Sequence, residues 1–111
     1  HRDDLIMMSI MGDRSGGPQV DYTVNPAVGF PNATGPEGST EPTGHVLPAW
    51  DCITGQQAAL GILAAERHRR LTGRGQLVET SLLTNALISG SNTRPSGHTD
   101  QSAQLRLSRR P

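Results

Sequence analysis

Apolar residues along the chain fall into two short runs and one long one, separated by stretches rich in glycine, proline and small polar residues. The first run, Leu5-Ile6-Met7-Met8-Ser9-Ile10, is nearly continuous. That pattern suits a strand covered on both faces, as in a parallel sheet. Its methionines fit core filling, with a soft binding surface as the alternative. Residues 11–18 (MGDRSGGP) read as a turn-rich loop, since three glycines permit positive φ. Residues 21–29 (DYTVNPAVG) predict a short strand or a helix interrupted at Pro26. Residues 30–44 have no period and predict a loop.

The long run begins after Pro48, which biases Leu47 away from helical torsions. It predicts a helix over about residues 54–70. Ala59, Ile62, Leu63 and Glu66 recur at helical spacing, with Leu60 and Ala64 broadening the stripe. Gly61 inside it costs roughly 1 kcal/mol against alanine, so a close contact is expected there. Arg67, His68, Arg69 and Arg70 crowd the last turn, where the helix dipole favours positive charge. Gly73 is the expected stop and Gly75 a second bend. Leu77-Val78-Glu79-Thr80 then predicts a strand, and Ser81 the cap of a short helix reaching about Ile88. Strand, helix and strand in this order predict an α/β fold. Residues 89–111 are polar, rich in serine and arginine and without apolar periodicity. They predict a disordered or aberrant tail behind a partial domain spanning 1–88.

Composition sharpens this picture. Hydrophobic residues make up 33% of the 111 and aromatics 3%, while glycine and proline number 13 and 8. That is a thin supply of core-forming side chains for an independent fold. A buried strand at the start of a chain that opens on His1 predicts an internal piece of a longer protein. Ten basic residues balance ten acidic ones, which gives no nucleic-acid footprint. The single cysteine, Cys52, excludes an internal disulfide and a cysteine-based zinc framework. No apolar run approaches the roughly 20 residues that span a bilayer, so no membrane partner is expected and a cytoplasmic setting fits.

Asp51 stands out among the candidate chemical groups because an extended segment hands over to a helix there. A carboxylate at that place is favoured by the dipole and by free first-turn N–H groups, and capping the helix is its simplest role. Cys52 is a nucleophile on paper and a small buried side chain by default. His45 is a lone loop histidine, and no metal-ligating cluster accompanies it. The glycine loop at 11–18 lacks both phosphate-binding spacings. Asn32-Ala33-Thr34 matches a glycosylation sequon that nothing else supports.

The run AWDCITGQQAALGILAAERHRRLTGRGQLVETSLL resembles the central signature of the family III CoA-transferases. The matching features are Asp51, Thr54-Gly55, the Ala/Leu-rich stretch 58–65, Arg69, Thr72-Gly73-Arg74-Gly75-Gln76, Val78 and Ser81-Leu82-Leu83. DLIMMSIMG and DYTVNPAVGFPNATGPEG are similar to the segment that precedes the family's aspartate, and the resemblance covers roughly residues 3–88. It implies a fragment of a Rossmann-like large domain, about a quarter of a typical member. It also implies that Asp51 attacks an acyl-CoA thioester and carries CoA covalently to an acceptor carboxylic acid. Gln19, Val20, Asp21 and Tyr22 occupy the segment near bound CoA. No permanently bound cofactor is implied, and CoA enters as a thioester substrate. Whole members are interlocked homodimers. Pro18-Gln19 stands where the racemase branch has a histidine, while VDYTVNPAVGFP and HVLPAWD resemble the branch that isomerises mesaconyl-CoA by moving CoA within one molecule. An inactive remnant and a small interaction module using the basic helix end remain as alternatives.

Overall fold

The computed structural model describes residues 2–91; from residue 92 onward the expected tail lies outside the described residues. The elements are β1 (Met7–Met11), α1 (Asp21–Ala27), α2 (Phe30–Ala33), α3 (Ala49–Thr72), β2 (Leu77–Ser81) and α4 (Leu82–Ser91). β1 and β2 pair in parallel, with Met7 opposite Leu77 and Met11 opposite Ser81. Parallel neighbours need a long crossover, and α3 supplies it. The fold is α/β.

α3 has 24 residues and is therefore about 36 Å long. It starts ahead of the expected residue 54. It ends as expected: Gly73 takes φ 74°, and its N–H donates to Arg69 O at 2.7 Å. The buried face of α3 differs from the one expected. Ile62 and Leu63 are 42% and 67% exposed, and Ala59, Leu60 and Ala64 are also exposed. Trp50, Thr54, Ala58 and Ala65 are buried in their place, with Gly61 in the same stripe. A helix with apolar residues on several sides offers more than one face. The smaller residues win because they let α3 lie close against the strands. A Cβ at position 61 would sit 2.8 Å from Val78 Cγ1 and 3.4 Å from Met8 Cε, so the close contact predicted for Gly61 is present.

The sheet face toward α3 carries Met8 and Val78. The opposite face presents Met7 and Leu77, 56% and 60% exposed. Covering on both faces is thus not met among the described residues, because α3 packs on the face of Met8 and Val78, and Asn85 of α4 bonds to Thr80 on that same face. Leu5 and Ile6 precede β1, and its ladder runs on to Met11. Residues 21–27 settle as helix, and Pro26, one residue from the end of α1, marks its limit. One helical turn, α2, appears inside the segment expected to be loop.

A small core of Val24, Trp50, Leu82 and Ala86 joins α1, α3 and α4, with Val28, Phe30, Ile53 and Leu83 packed around it. Phe30 meets Trp50 edge to face at 4.7 Å between ring centroids. Ser81 caps α4 as predicted: its Oγ accepts the Thr84 N–H at 3.2 Å. α4 continues to Ser91, past the expected Ile88.

The basic end of α3 is charge-compensated. Glu66 accepts from Arg69 Nε at 2.7 Å and from Arg70 Nε at 2.8 Å, and Arg69 Nη1 lies 3.5 Å from Asp4. The hydrogen bonds from Arg69 and then Arg70 pull the Glu66 carboxyl from an ordinary 4.5 down to about 2. A carboxyl depressed by folding stabilises the folded state above its unfolded value and loses that contribution as pH falls through the folded one. The urea midpoint of the chain is therefore expected to drop between pH 4.5 and about 2. Glu66→Gln should flatten part of that drop. An equal loss in the parent and the variant would show that the cluster contributes nothing.

Candidate active site

α3 runs antiparallel to the strands, which places its N-terminus at their carboxyl ends. Asn85 fixes the level: its Nδ2 donates to Thr54 Oγ1 at 3.1 Å and to Thr80 Oγ1 at 3.0 Å. Thr54 is thus level with the last residues of β2. Asp51, about one turn earlier, projects beyond the sheet. The carboxyl ends of parallel strands are where α/β folds assemble their ligand sites.

Asp51 does not cap α3. It lies within the first turn, after Ala49 and Trp50, is exposed, and makes no side-chain hydrogen bond or ion pair among the described residues. The capping is done from 29 residues upstream. The buried carboxylate of Asp21, on α1, accepts the Trp50 N–H at 2.8 Å through Oδ2. The other early amides are accounted for in turn. Ala49 N–H donates to Leu47 O at 2.7 Å and Cys52 N–H to Pro48 O at 3.0 Å. The Asp51 amide has no acceptor among the described residues. A free carboxylate and a free N–H therefore sit on the same residue, at the positive end of a long helix.

The indole of Trp50 is held from α1 as well, since Nε1–H donates to Asn25 Oδ1 at 3.0 Å. His45 stands beside this contact. Its Nδ1 hydrogen-bonds Leu47 O, and its buried Nε2 lies 3.7 Å from Asp21 Oδ1. His45 is thus attached to the protein and not to an exposed catalytic position. Cys52 is exposed, contrary to the buried thiol expected by default.

The four residues expected near a cofactor diverge. Asp21 turns inward to α3. Gln19 Oε1 accepts from Thr23 Oγ1 at 2.8 Å, so it is engaged locally. Val20 and Tyr22 point outward, 50% and 81% exposed. Only Asp21 is brought next to the turn that bears Asp51. Among the described residues, shallow cavities lie at either end of the sheet. One of about 390 Å³ lies at the carboxyl ends, lined by Met11, Arg14, Glu79, Thr80, Ser81 and Thr84. The larger, about 630 Å³, lies at the opposite end near Gly73 and Leu77, far from Asp51 along α3. Among the described residues no three His, Cys, Asp or Glu side chains gather to hold a metal ion. No described helix is long and apolar enough to cross a membrane.

Known proteins decide the family. The sequence model for CoA-transferase family III matches residues 4–107. The chain belongs to that family. Over 82 residues the family member is 62% identical to 2-methylfumaryl-CoA isomerase of Chloroflexus aurantiacus, covering 74% of this chain and 20% of that protein. It is 35% identical over 91 residues to succinyl-CoA:mesaconate CoA-transferase of Haloarcula hispanica, covering 23% of that protein. The chain thus spans about a fifth of the length of these relatives. The fold superposes on a CaiB/BaiF family protein from Brucella suis with a TM-score of 0.73 at 22% identity, over 98% of this chain and 28% of that one.

Proposed function

We propose that this segment supplies the nucleophile of an enzyme that moves coenzyme A between carboxyl groups, and that Asp51 carries the CoA. The observation behind this is the division of labour at the start of α3. Asp21 caps the helix, which leaves Asp51 exposed in the first turn of α3 and without a side-chain partner among the described residues. An Asp51 oxygen attacks the thioester carbonyl, a C–O bond forms and the C–S bond breaks. A mixed anhydride and CoA thiolate result. The thiolate then attacks the Asp51 carbonyl, releasing the acyl group as a carboxylate and leaving an aspartyl-CoA thioester. An acceptor carboxylate reverses both steps and frees Asp51. Covalent catalysis of this kind divides one hard step into easier ones. The free Asp51 amide is a suitable donor to a developing oxyanion.

The greater identity to the isomerase, 62% against 35%, favours donor and acceptor carboxyls on one unsaturated diacid, so that CoA moves within a molecule. Of the 19–22 segment, Val20 and Tyr22 have the most surface to meet CoA, Gln19 keeps part of its own, and Asp21 has almost none. The exposed Met7 and Leu77, together with the chain's share of its relatives' length, fit a domain completed by further polypeptide and by a second subunit. The paired Arg69 and Arg70 remove much of the free charge that a basic interaction module would use.

The test is a chimera. The matched 82 residues of the C. aurantiacus isomerase are exchanged for those of this chain. The chimera is expected to isomerise 2-methylfumaryl-CoA, and hydroxylamine added during turnover should leave a hydroxamate on Asp51, located by peptide mass spectrometry. The 111-residue chain alone is expected to show no turnover. An active chimera with its hydroxamate on another residue would remove Asp51 from the role.

A further inference from the structure

We infer that Asp21 is a positioning residue for the nucleophile: α1 grips Trp50 by both of its N–H groups and so fixes where the next residue, Asp51, stands. The inference rests on the reading of Asp51 as the CoA-carrying group. Asp21 is 5% exposed, and its Oδ2 takes the Trp50 backbone N–H at 2.8 Å. Asn25, one turn further along α1 and 6% exposed, takes the indole N–H at 3.0 Å. The other Asp21 oxygen faces His45 Nε2 at 3.7 Å, and His45 reaches Leu47 O through Nδ1. The start of α3 is therefore tied to α1 by two hydrogen bonds, both through Trp50, with His45 packed beside the first of them.

This arrangement suits a nucleophile in a first helical turn. Such turns fray, because their amides have no partners within the helix. A side-chain cap that is local in sequence would move with the turn it stabilises. A cap delivered from α1 is anchored instead in the core, where Val24 is fully buried. A charged acceptor also holds an amide more strongly than a neutral one does. Reaction geometry is steep in distance, a shift of about 1 Å costing on the order of a hundredfold in rate. The grip on Trp50 thus acts on turnover through Asp51 without Asp21 touching the substrate.

The test uses the chimeric isomerase with Asp21→Ala, Asp21→Asn and, as reference, Asp51→Ala. Asp21→Ala is expected to lower kcat about a hundredfold with KM changed less than about threefold. Asn keeps an acceptor oxygen, so Asp21→Asn should recover most of the loss and fall about threefold to tenfold below the parent. If Asp21→Ala fails to fold, Asp21→Asn decides alone. A kcat reduced at preserved KM supports the grip, and a kcat equal to the parent's overturns it. A folded Asp21→Ala chimera with the parent's kcat also overturns it, as does an Asp21→Asn variant as slow as the alanine one. These failures differ from failure of the nucleophile assignment, which would appear as turnover surviving in Asp51→Ala.

Discussion

Replacing Asp51 by asparagine in the chimeric isomerase is expected to lower turnover by about 10⁴-fold or more, the scale of losing a covalent nucleophile. Stability should stay within about 1 kcal/mol of the parent, since only the favourable placing of a charge near a helix N-terminus is lost. Rate and stability separate so cleanly because of what Asp51 does not do. Its carboxylate takes no part in capping, and no hydrogen bond among the described residues depends on it. Asparagine has nearly the same shape and leaves Asp21 and Trp50 undisturbed. An amide cannot form the mixed anhydride, so the first step has no substitute. Asp51→Ala guards against slow hydrolysis of the asparagine back to aspartate. Affinity for the CoA ester should persist in both variants, since one exposed side chain contributes little to holding so large a ligand. A variant that kept more than a tenth of the parent's turnover would end the nucleophile assignment. A variant that lost turnover only by losing its fold would show that Asp51 has a structural duty not visible at the start of α3.

Much of this site was legible in the sequence, and the missing parts share a cause. Gly73 as the stop of α3, the strand beginning at Leu77 and the Ser81 cap are local signals, set by backbone freedom and short-range hydrogen bonds. The hand-over after Pro48 placed Asp51 at a helix start for the same reason. The cap that frees Asp51 was out of reach because Asp21 and Trp50 are 29 residues apart, and nothing local in DYTVN announces a partner on another helix. The buried stripe of α3 was misjudged for a related reason. Periodicity reports which faces are apolar, but the depth of approach to β1 and β2 selects among them. Gly61 and Ala58 offer that depth, whereas Ile62 and Leu63 would hold the helix away. The strong apolar side chains left outside are legible only against the length of the relatives.

Trp50→Ala is expected to destabilise the chain by about 3–5 kcal/mol, the usual range for truncating a buried large aromatic. The figure weighs heavily here. Native domains have a total stability of only about 5–15 kcal/mol, and this chain has few core residues to spare. Trp50 is 4% exposed and is the largest side chain of the α1–α3–α4 cluster, so its truncation removes much of that cluster's volume. Val24, Leu82 and Ala86 would line the resulting hole, and Phe30 would lose its edge-to-face partner. The Asn25 side chain would also lose the donor it accepts from, although water entering the opened space can replace it. Trp50→Phe separates the two contributions. It retains most of the apolar packing and removes only the indole N–H, so it should cost about 1–3 kcal/mol, the penalty of an orphaned buried acceptor plus a modest loss of volume. Urea unfolding followed by circular dichroism measures both, since tryptophan emission disappears with the residue. A loss below about 1 kcal/mol for the alanine variant would mean that the α1–α3–α4 cluster is not what holds the start of α3. The position of Asp51 would then depend on the turn itself and not on the core behind it.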